Sequence, residues 1–224
     1  MTSVDPAGEN YQHALDRYLA AQLSGDAALA LRHLNDLMDA GHSPAEIRSR
    51  VVQQAQHEIG RLWQLDRITV AQEHAATAIG QVALSHLFGR SQFSARLGVP
   101  VVVACVSGEL HDFPARIVAD ALEIAGFDVT FLGADVAEAS LLERLAANRP
   151  RVLALSVTMV FNRESLRRTV QAVRDAFPRL AIAVGGSGIR DCADPAGEFG
   201  ADVYIRSAED LAAYVGHGEA GAHG

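Results

Sequence analysis

The chain has 224 residues, of which 49% are hydrophobic and 21% are charged, as is typical of a globular protein with one large domain or two small ones. Acidic residues outnumber basic ones by 27 to 19, and the formal net charge of -8 disfavours direct binding to DNA. The only two cysteines, Cys105 and Cys192, form neither a zinc motif nor a disulfide framework, which favours a cytoplasmic protein. We expect no signal peptide and no membrane span, since no apolar run approaches the length of a membrane helix.

The first half of the chain has the composition of helices. The segment 10–88 is rich in Ala and Leu and contains three helix starts. Asp26 is a favourable N-cap, and Ser43 and Thr69 each begin a capping box that a Glu or Gln completes three residues later. We therefore predict a four-helix bundle over 10–88, followed by a linker over 89–98.

The second half alternates between strand and helix signals. The continuous apolar run Val99 to Val106 predicts a strand that is buried on both faces. The alternation then continues to residue 215, which predicts a flavodoxin-like or Rossmann-like parallel sheet. The predicted fold class is thus an all-α bundle followed by an α/β domain over 99–215, with a disordered glycine-rich tail over 216–224. Ligands of such sheets bind at the carboxyl ends of the strands, so the loops there are the candidate site.

Polar residues and glycines follow three of the predicted strands. The loop after the first strand contains Glu109, His111 and Asp112, and a metal-binding imidazole usually donates its second ring N–H to such a carboxylate. Ser156 and Thr158 lie at the end of the third strand. Small residues, which let a flat ligand approach the backbone, follow the fourth strand: Gly185, Gly186, Ser187 and Gly188. Each of these three features alone has an ordinary explanation, as a helix cap, a strand end or a turn.

In this order the three loops resemble the cobalamin-binding domain of methionine synthase, corrinoid methyl carriers and mutases. The pattern of that family is Asp-x-His-x-x-Gly, then Ser-x-Leu or Ser-x-Thr, then Gly-Gly. The resemblance implies that His111 is the lower cobalt ligand. It also implies that the nucleotide tail of cobalamin lies along Ser156, Thr158, Gly185, Gly186, Ser187 and Gly188.

Two positions of the first loop depart from the family pattern. Glu109 stands where the family has Asp, and Pro114 stands where it has Gly. Proline suits the first turn of a helix, and a Glu carboxylate reaches one methylene further than Asp. Glu109 and Asp112 therefore both remain candidates for the carboxylate that orients His111.

The predicted bundle carries a second motif, in which Trp63 is followed after nine residues by Glu73 and His74. This resembles the Trp-x9-Glu-His signature of CarH-type photoreceptors, which bind adenosylcobalamin and whose bundle caps the upper face of the corrin. The resemblance implies that Trp63, Glu73 and His74 contact the cofactor. Gln64 occupies the position at which CarH-type proteins have a cobalt-trapping histidine. The alternative is that the motif residues only pack within the bundle.

CarH-type proteins also carry a DNA-binding domain before the bundle, whereas only about ten residues precede it here. The chain therefore most resembles the photocobilins, which hold cobalamin together with biliverdin. The resulting prediction is a non-enzymatic, cobalamin-dependent light sensor, with biliverdin as a candidate second chromophore. We expect it to signal as a homo-oligomer, a dimer, through an unidentified downstream protein. The alternatives are a corrinoid methyl carrier of a methyltransferase system and a cobalamin reservoir.

Overall fold

A computed structural model of the chain describes the backbone of residues 6–220 and the side chains of residues 11–216. The chain divides into two compact units between Gln92 and Phe93, within the linker that the sequence predicts. No helix in the described part of the chain is both long and apolar enough to cross a membrane.

Four helices form the first unit over its described residues, which confirms the predicted helical half. The third helix contains a π-helical turn between two α-helical parts. The helices are α1 (Pro6–Leu23), α2 (Ala27–Asp39), α3 (Pro44–Ile47, the π turn Arg48–Val52 and Gln53–Gln64) and α4 (Val70–Gly89).

The predicted helix starts are confirmed by their hydrogen bonds. The side chain of Asp26 accepts from the backbone N–H of Leu29, and both halves of the capping boxes at Ser43 and Thr69 are formed. These caps satisfy N–H groups that the first turn of a helix leaves unpaired. The bundle is closed by fully buried apolar side chains, among them Tyr18, Leu34, Ile47, Ile59 and Leu84.

The second unit is built on a parallel sheet, which confirms the predicted fold class. Over the described residues the sheet has five strands in the order β2-β1-β3-β4-β5. Strand β2 lies on one side of β1, whereas β3 and β4 follow on the other side. The connections after β1 and β3 therefore run in opposite directions, and the loops after these two strands flank the topological switch point. The strands are β1 (Pro100–Val106), β2 (Asp128–Val136), β3 (Val152–Ser156), β4 (Ala181–Gly185) and β5 (Val203–Ile205).

Helices connect these strands and bury both faces of the sheet. Strand β1 lies between two apolar cores and contributes side chains to both. Val102, Ala104 and Val106 belong to one core. Val101, Val103 and Cys105 belong to the other. The helices are α5 (Phe113–Ile124), α6 (Glu138–Asn148), α7 (Arg163–Ala176), α8 (Pro195–Phe199) and α9 (Ala208–Ala220).

Two details of the second unit differ from the sequence-based expectation. The short helix α8, which the sequence analysis does not predict, begins after an N-cap at Asp194. A helix of little more than one turn is too short to show an apolar repeat in the sequence. Helix α9 continues to Ala220, so it includes residues that the sequence assigns to a tail. The last part of that predicted tail, 221–224, lies outside the described residues.

Candidate cofactor-binding site

The loop after β1 holds His111 at the switch point of the sheet. The Nδ1 atom of His111 lies 2.5 Å from Oε1 of Glu109, and the backbone N–H of His111 donates to the same oxygen at 3.0 Å. An ionised carboxylate can only accept, so Nδ1 carries the proton and Nε2 presents the lone pair that a metal requires. The His111 side chain is 38% exposed, whereas that of Glu109 is fully buried.

The second carboxylate oxygen of Glu109 is held by residues that follow β3. Oε2 accepts from the backbone N–H groups of Thr158 and Met159 and from Nδ2 of Asn162, each at 2.9 Å. Burial by itself would raise the pKa of Glu109, but the hydrogen bonds from His111, Asn162 and Met159 outweigh it and lower this pKa to about 2. The carboxylate is therefore a fixed anion that orients the imidazole.

The structure shows a direct contact between the imidazole and one of the two carboxylates that the sequence proposes. Glu109 contacts the imidazole directly, and its extra methylene, compared with Asp, reaches both His111 and the turn after β3. Asp112 instead is the N-cap residue of α5, without a side-chain capping bond. Pro114 lies in the first turn of α5, where proline fits a helix.

The ends of β3 and β4 contribute the other predicted residues. Ser156 is buried at the end of β3. The hydroxyl of Thr158 is buried and has no hydrogen-bond partner within the protein, which makes it suitable for a polar group of a ligand. Exposed Ser187 donates from its hydroxyl to the carbonyl of Thr158 at 3.2 Å.

The glycines after β4 are required by close backbone packing. Gly186 has φ of +106°, and a Cβ at this position would collide with the carbonyl oxygen of Val157. A Cβ on Gly188 would lie 3.0 Å from the same oxygen, and one on Gly185 would lie 3.0 Å from the carbonyl oxygen of Ile205. Gly186 and Gly188 thus bring the loops after β3 and β4 together, and Gly185 lets β4 approach β5. Their role beside a nucleotide tail, like that of Ser156, Thr158 and Ser187, stays a prediction.

Sequence reasoning missed four residues on the loops after β1 and β3. Asn162 is 94% buried, and its amide also donates to the carbonyl of Gly108 at 3.2 Å, so it joins the loops after β1 and β3. Large exposed apolar side chains on these same loops are unusual near a polar site. They are Leu110, Val160 and Phe161.

The residues of the bundle motif lie in the first unit and are less organised. Trp63 and Gln64 end α3, where Trp63 is half-buried and Gln64 is exposed. Glu73 accepts from the hydroxyl of Thr77 at 2.7 Å, and Nε2 of His74 lies 3.6 Å from Glu73 with 74% of the side chain exposed. Contact of Trp63, Glu73 and His74 with a cofactor stays a prediction.

A corrinoid with one axial histidine fits the second unit. His111 is oriented for metal binding, Thr158 offers an unpartnered buried hydroxyl, and large apolar side chains are exposed on the loops after β1 and β3. Among the side chains that the structure describes, no group of three or more His, Cys, Asp or Glu residues could hold a bare metal ion. The fold and the site thus have the features of a protein that binds a metal-containing cofactor, and ligation of the metal by His111 stays a prediction.

Comparison with known families gives the same answer. A family described as the B12 binding domain matches residues 99–215, which is more than half of the chain, and a second domain of that description matches residues 14–88. The chain therefore belongs to the B12-binding proteins, and cobalamin binding is confirmed as the cofactor prediction.

Two similar proteins bear on its function, and a third shows the same fold. Over 85% of this chain, the trimethylamine corrinoid protein 2 of Methanosarcina mazei is 28% identical, and the match covers 88% of that protein. The HTH-type transcriptional repressor CarA of Myxococcus xanthus is 31% identical over 66% of this chain, but the match covers only 50% of CarA. The monomethylamine corrinoid protein of Methanosarcina barkeri shares the fold, with a TM-score of 0.75, 19% identity and coverage of 91% of this chain and 97% of that one.

These relatives overturn the prediction of a light sensor. The match to corrinoid proteins covers both halves of the chain and most of each relative, whereas the match to CarA is partial. Biliverdin has no support from any of them. The bundle motif misled because Trp63 and Glu73 also satisfy local packing and hydrogen bonding, so their presence does not specify a photoreceptor.

Proposed function

We propose that this chain is a corrinoid methyl carrier of a methyltransferase system, which was the alternative in the sequence analysis. The observation that carries the proposal is similarity to trimethylamine corrinoid proteins through the bundle and the sheet unit together. Such a carrier has no catalytic residue of its own. It presents its cofactor to partner enzymes, and a methylated amine is the methyl donor that these relatives suggest.

The residues of the second unit provide the cofactor's attachment. His111 would bind cobalt from below through Nε2, since Nδ1 is held by Glu109. Thr158 would offer its buried hydroxyl to the nucleotide tail, and exposed Leu110, Val160 and Phe161 would be covered by the corrin ring. A bound corrinoid supplies a cobalt atom that can accept a methyl group from one compound and release it to another.

Methyl exchange requires an open cobalt face, so we propose a cobalamin without an adenosyl group. The partners of this proposal are a methyltransferase that donates to the carrier and one that accepts from it. A homodimer stays a separate prediction, which sedimentation of the cobalamin-loaded protein would test.

The proposal is tested by charging and discharging the loaded protein. The chain is loaded with hydroxocobalamin, reduced with titanium(III) citrate, incubated with ¹⁴C-methyl iodide and desalted. We expect protein-bound label that approaches one equivalent and that leaves when a thiol acceptor and a corrinoid:thiol methyltransferase are added. His111→Ala, processed in parallel, should lose most of the bound label during desalting.

Two results would contradict a methyl carrier. Cobalamin that binds tightly but acquires no label would indicate a cofactor store. Label that stays on the protein when acceptor and enzyme are present would show that the methyl group is not available for transfer.

A further inference from the structure

The carboxyl end of strand β2 is irregular where it lies beside the His111 loop. The pairing of β1 with β2 shifts register twice, between Val103 and Ala104 and again between Ala104 and Val106. Two residues of this stretch have positive φ, Gly133 at +76° and Asp135 at +48°. Such bulges re-aim side chains near binding sites, and here they turn Asp135 toward the loop after β1.

Asp135 holds that loop through its side chain and its backbone. Oδ1 of Asp135 accepts from the backbone N–H of Gly108 at 2.7 Å and from the hydroxyl of Ser107 at 3.4 Å. The backbone N–H of Asp135 donates to the carbonyl of Glu109 at 2.9 Å. The contacts therefore reach the three residues that precede the segment Leu110–His111.

The backbone of Asp135 adopts a conformation that side chains other than Asn and Asp rarely accept. A residue with a Cβ pays for positive φ, and such positions persist where the surrounding contacts over-determine them. Arg149 shares this conformation with φ of +47°, but it ends helix α6 as a C-cap, where left-handed residues are common. Asp135 lies inside a strand, so the geometry points to a requirement of the neighbouring loop.

We propose that Asp135 is a positioning residue of the cofactor site, which fixes the loop 107–109 so that Glu109 presents His111 to cobalt. The inference rests on the proposed corrinoid site, but it does not depend on methyl transfer. Asp135 is exposed, so it adds little to the apolar core. Its removal should therefore change cofactor ligation more than the stability of the cofactor-free protein.

Three variants separate the side chain from the backbone conformation. Asp135→Gly accepts positive φ but deletes the acceptor, whereas Asp135→Asn keeps both an acceptor oxygen and a tolerated conformation. Arg149→Gly is the matched control, because it places glycine at the same φ outside the β1–β2 junction. The measurements are cofactor-free melting temperature, hydroxocobalamin affinity, and electron paramagnetic resonance of the loaded, cobalt(II) state in protein labelled with ¹⁵N-histidine.

An axial ¹⁵N-imidazole splits the cobalt(II) signal into doublets, while the cofactor's own ¹⁴N base gives triplets. For Asp135→Gly we expect a melting temperature like that of wild type, an affinity about 10-fold weaker, at the low end for outer partners of a metal ligand, and a reduced doublet fraction. Asp135→Asn should restore most of both values, and Arg149→Gly should match wild type.

The possible failures point to different assumptions. A triplet in the wild-type protein would overturn the assignment of His111 and this inference with it. Wild-type affinity and a full doublet in Asp135→Gly would overturn the positioning role alone, as would a cofactor-free Asp135→Gly that fails to fold while Asp135→Asn folds. A full doublet in a wild-type protein that does not discharge methyl groups would reject the carrier function and leave the role of Asp135 intact.

Discussion

The chain contains two Glu/His pairs that look alike in sequence but differ in structure. In the second unit, the carboxylate of Glu109 is fully buried, holds Nδ1 of His111 at 2.5 Å and receives further bonds from Thr158, Met159 and Asn162. In the bundle, His74 is 74% exposed and lies 3.6 Å from Glu73.

This difference shows what prepares a histidine for a metal. A ligand must be held in one tautomer and one orientation before the metal arrives, and a buried, fully hydrogen-bonded carboxylate does this for His111. The imidazole of His74 is mostly exposed, and its distance of 3.6 Å from Glu73 is longer than a hydrogen bond. Only the first pair has the properties of a preorganised ligand site.

The largest expected effect compares the two histidines directly. His111→Ala should weaken cobalamin binding by more than the 10–100-fold that is typical for changes in outer partners, because the cobalt ligand itself is removed. His74→Ala should change affinity by less than about 10-fold. Titration of hydroxocobalamin, followed by absorbance, measures both. Equal losses in the two variants would remove the distinction between the pairs.

The second comparison concerns the stability that the carboxylates of Glu109 and Glu73 provide. In Glu109→Gln, the amide replaces an oxygen that accepts several N–H groups, so buried donors lose their partner. We expect the free energy of unfolding to fall by about 2–3 kcal/mol, but by about 1 kcal/mol or less for Glu73→Gln. Urea unfolding at neutral pH measures both values, and a Glu73→Gln loss as large as that of Glu109→Gln would be inconsistent with the comparison.

Wild type and Glu109→Gln should also differ in how their stability depends on pH. The pKa of Glu109 is lowered from 4.5 to about 2 in the folded protein, so its ionised form stabilises the fold above about pH 4.5. This contribution is lost as the pH falls from about 4.5 toward about 2. The stability gap between wild type and Glu109→Gln should therefore narrow over this range in acid-unfolding experiments. A gap that stays constant would mean that the pKa of Glu109 is not lowered.

The smallest effect concerns the support of Glu73. Thr77 donates to Glu73 at 2.7 Å and accepts from the amide of Gln56. Thr77→Val keeps the side-chain shape and removes both bonds, so the free energy of unfolding should fall by about 0.5–1.5 kcal/mol. Cobalamin affinity in this variant should match wild type; an affinity loss of about 10-fold or more would show that the bundle pair is also a prepared site.

Local signals in the sequence were enough to predict the fold class and the histidine. Capping boxes at Ser43 and Thr69, and the buried apolar run that becomes β1, act within a few residues. Hydrogen-bonded turns and apolar periodicity depend on neighbours along the chain, so they can be recognised without tertiary structure. The loop after β1 was identified because parallel sheets place ligands at their carboxyl ends.

The choice of function needed more than such signals. Trp63, Glu73 and His74 match a photoreceptor signature, yet the relatives that match both halves of the chain are corrinoid proteins. Similarity to corrinoid proteins over 85% of the chain corrected the prediction, because a short motif on a helix surface is compatible with several functions.

Tertiary structure alone decided how His111 is held. The sequence left Glu109 and Asp112 as equal candidates, since both lie within two residues of the histidine. Glu109 is held by Asn162, which is 53 residues away, and Gly108 of the same loop is held by Asp135, which is 27 residues away. Those contacts exist because the strand order places the ends of β2, β1 and β3 side by side, and no local pattern in the chain records that order.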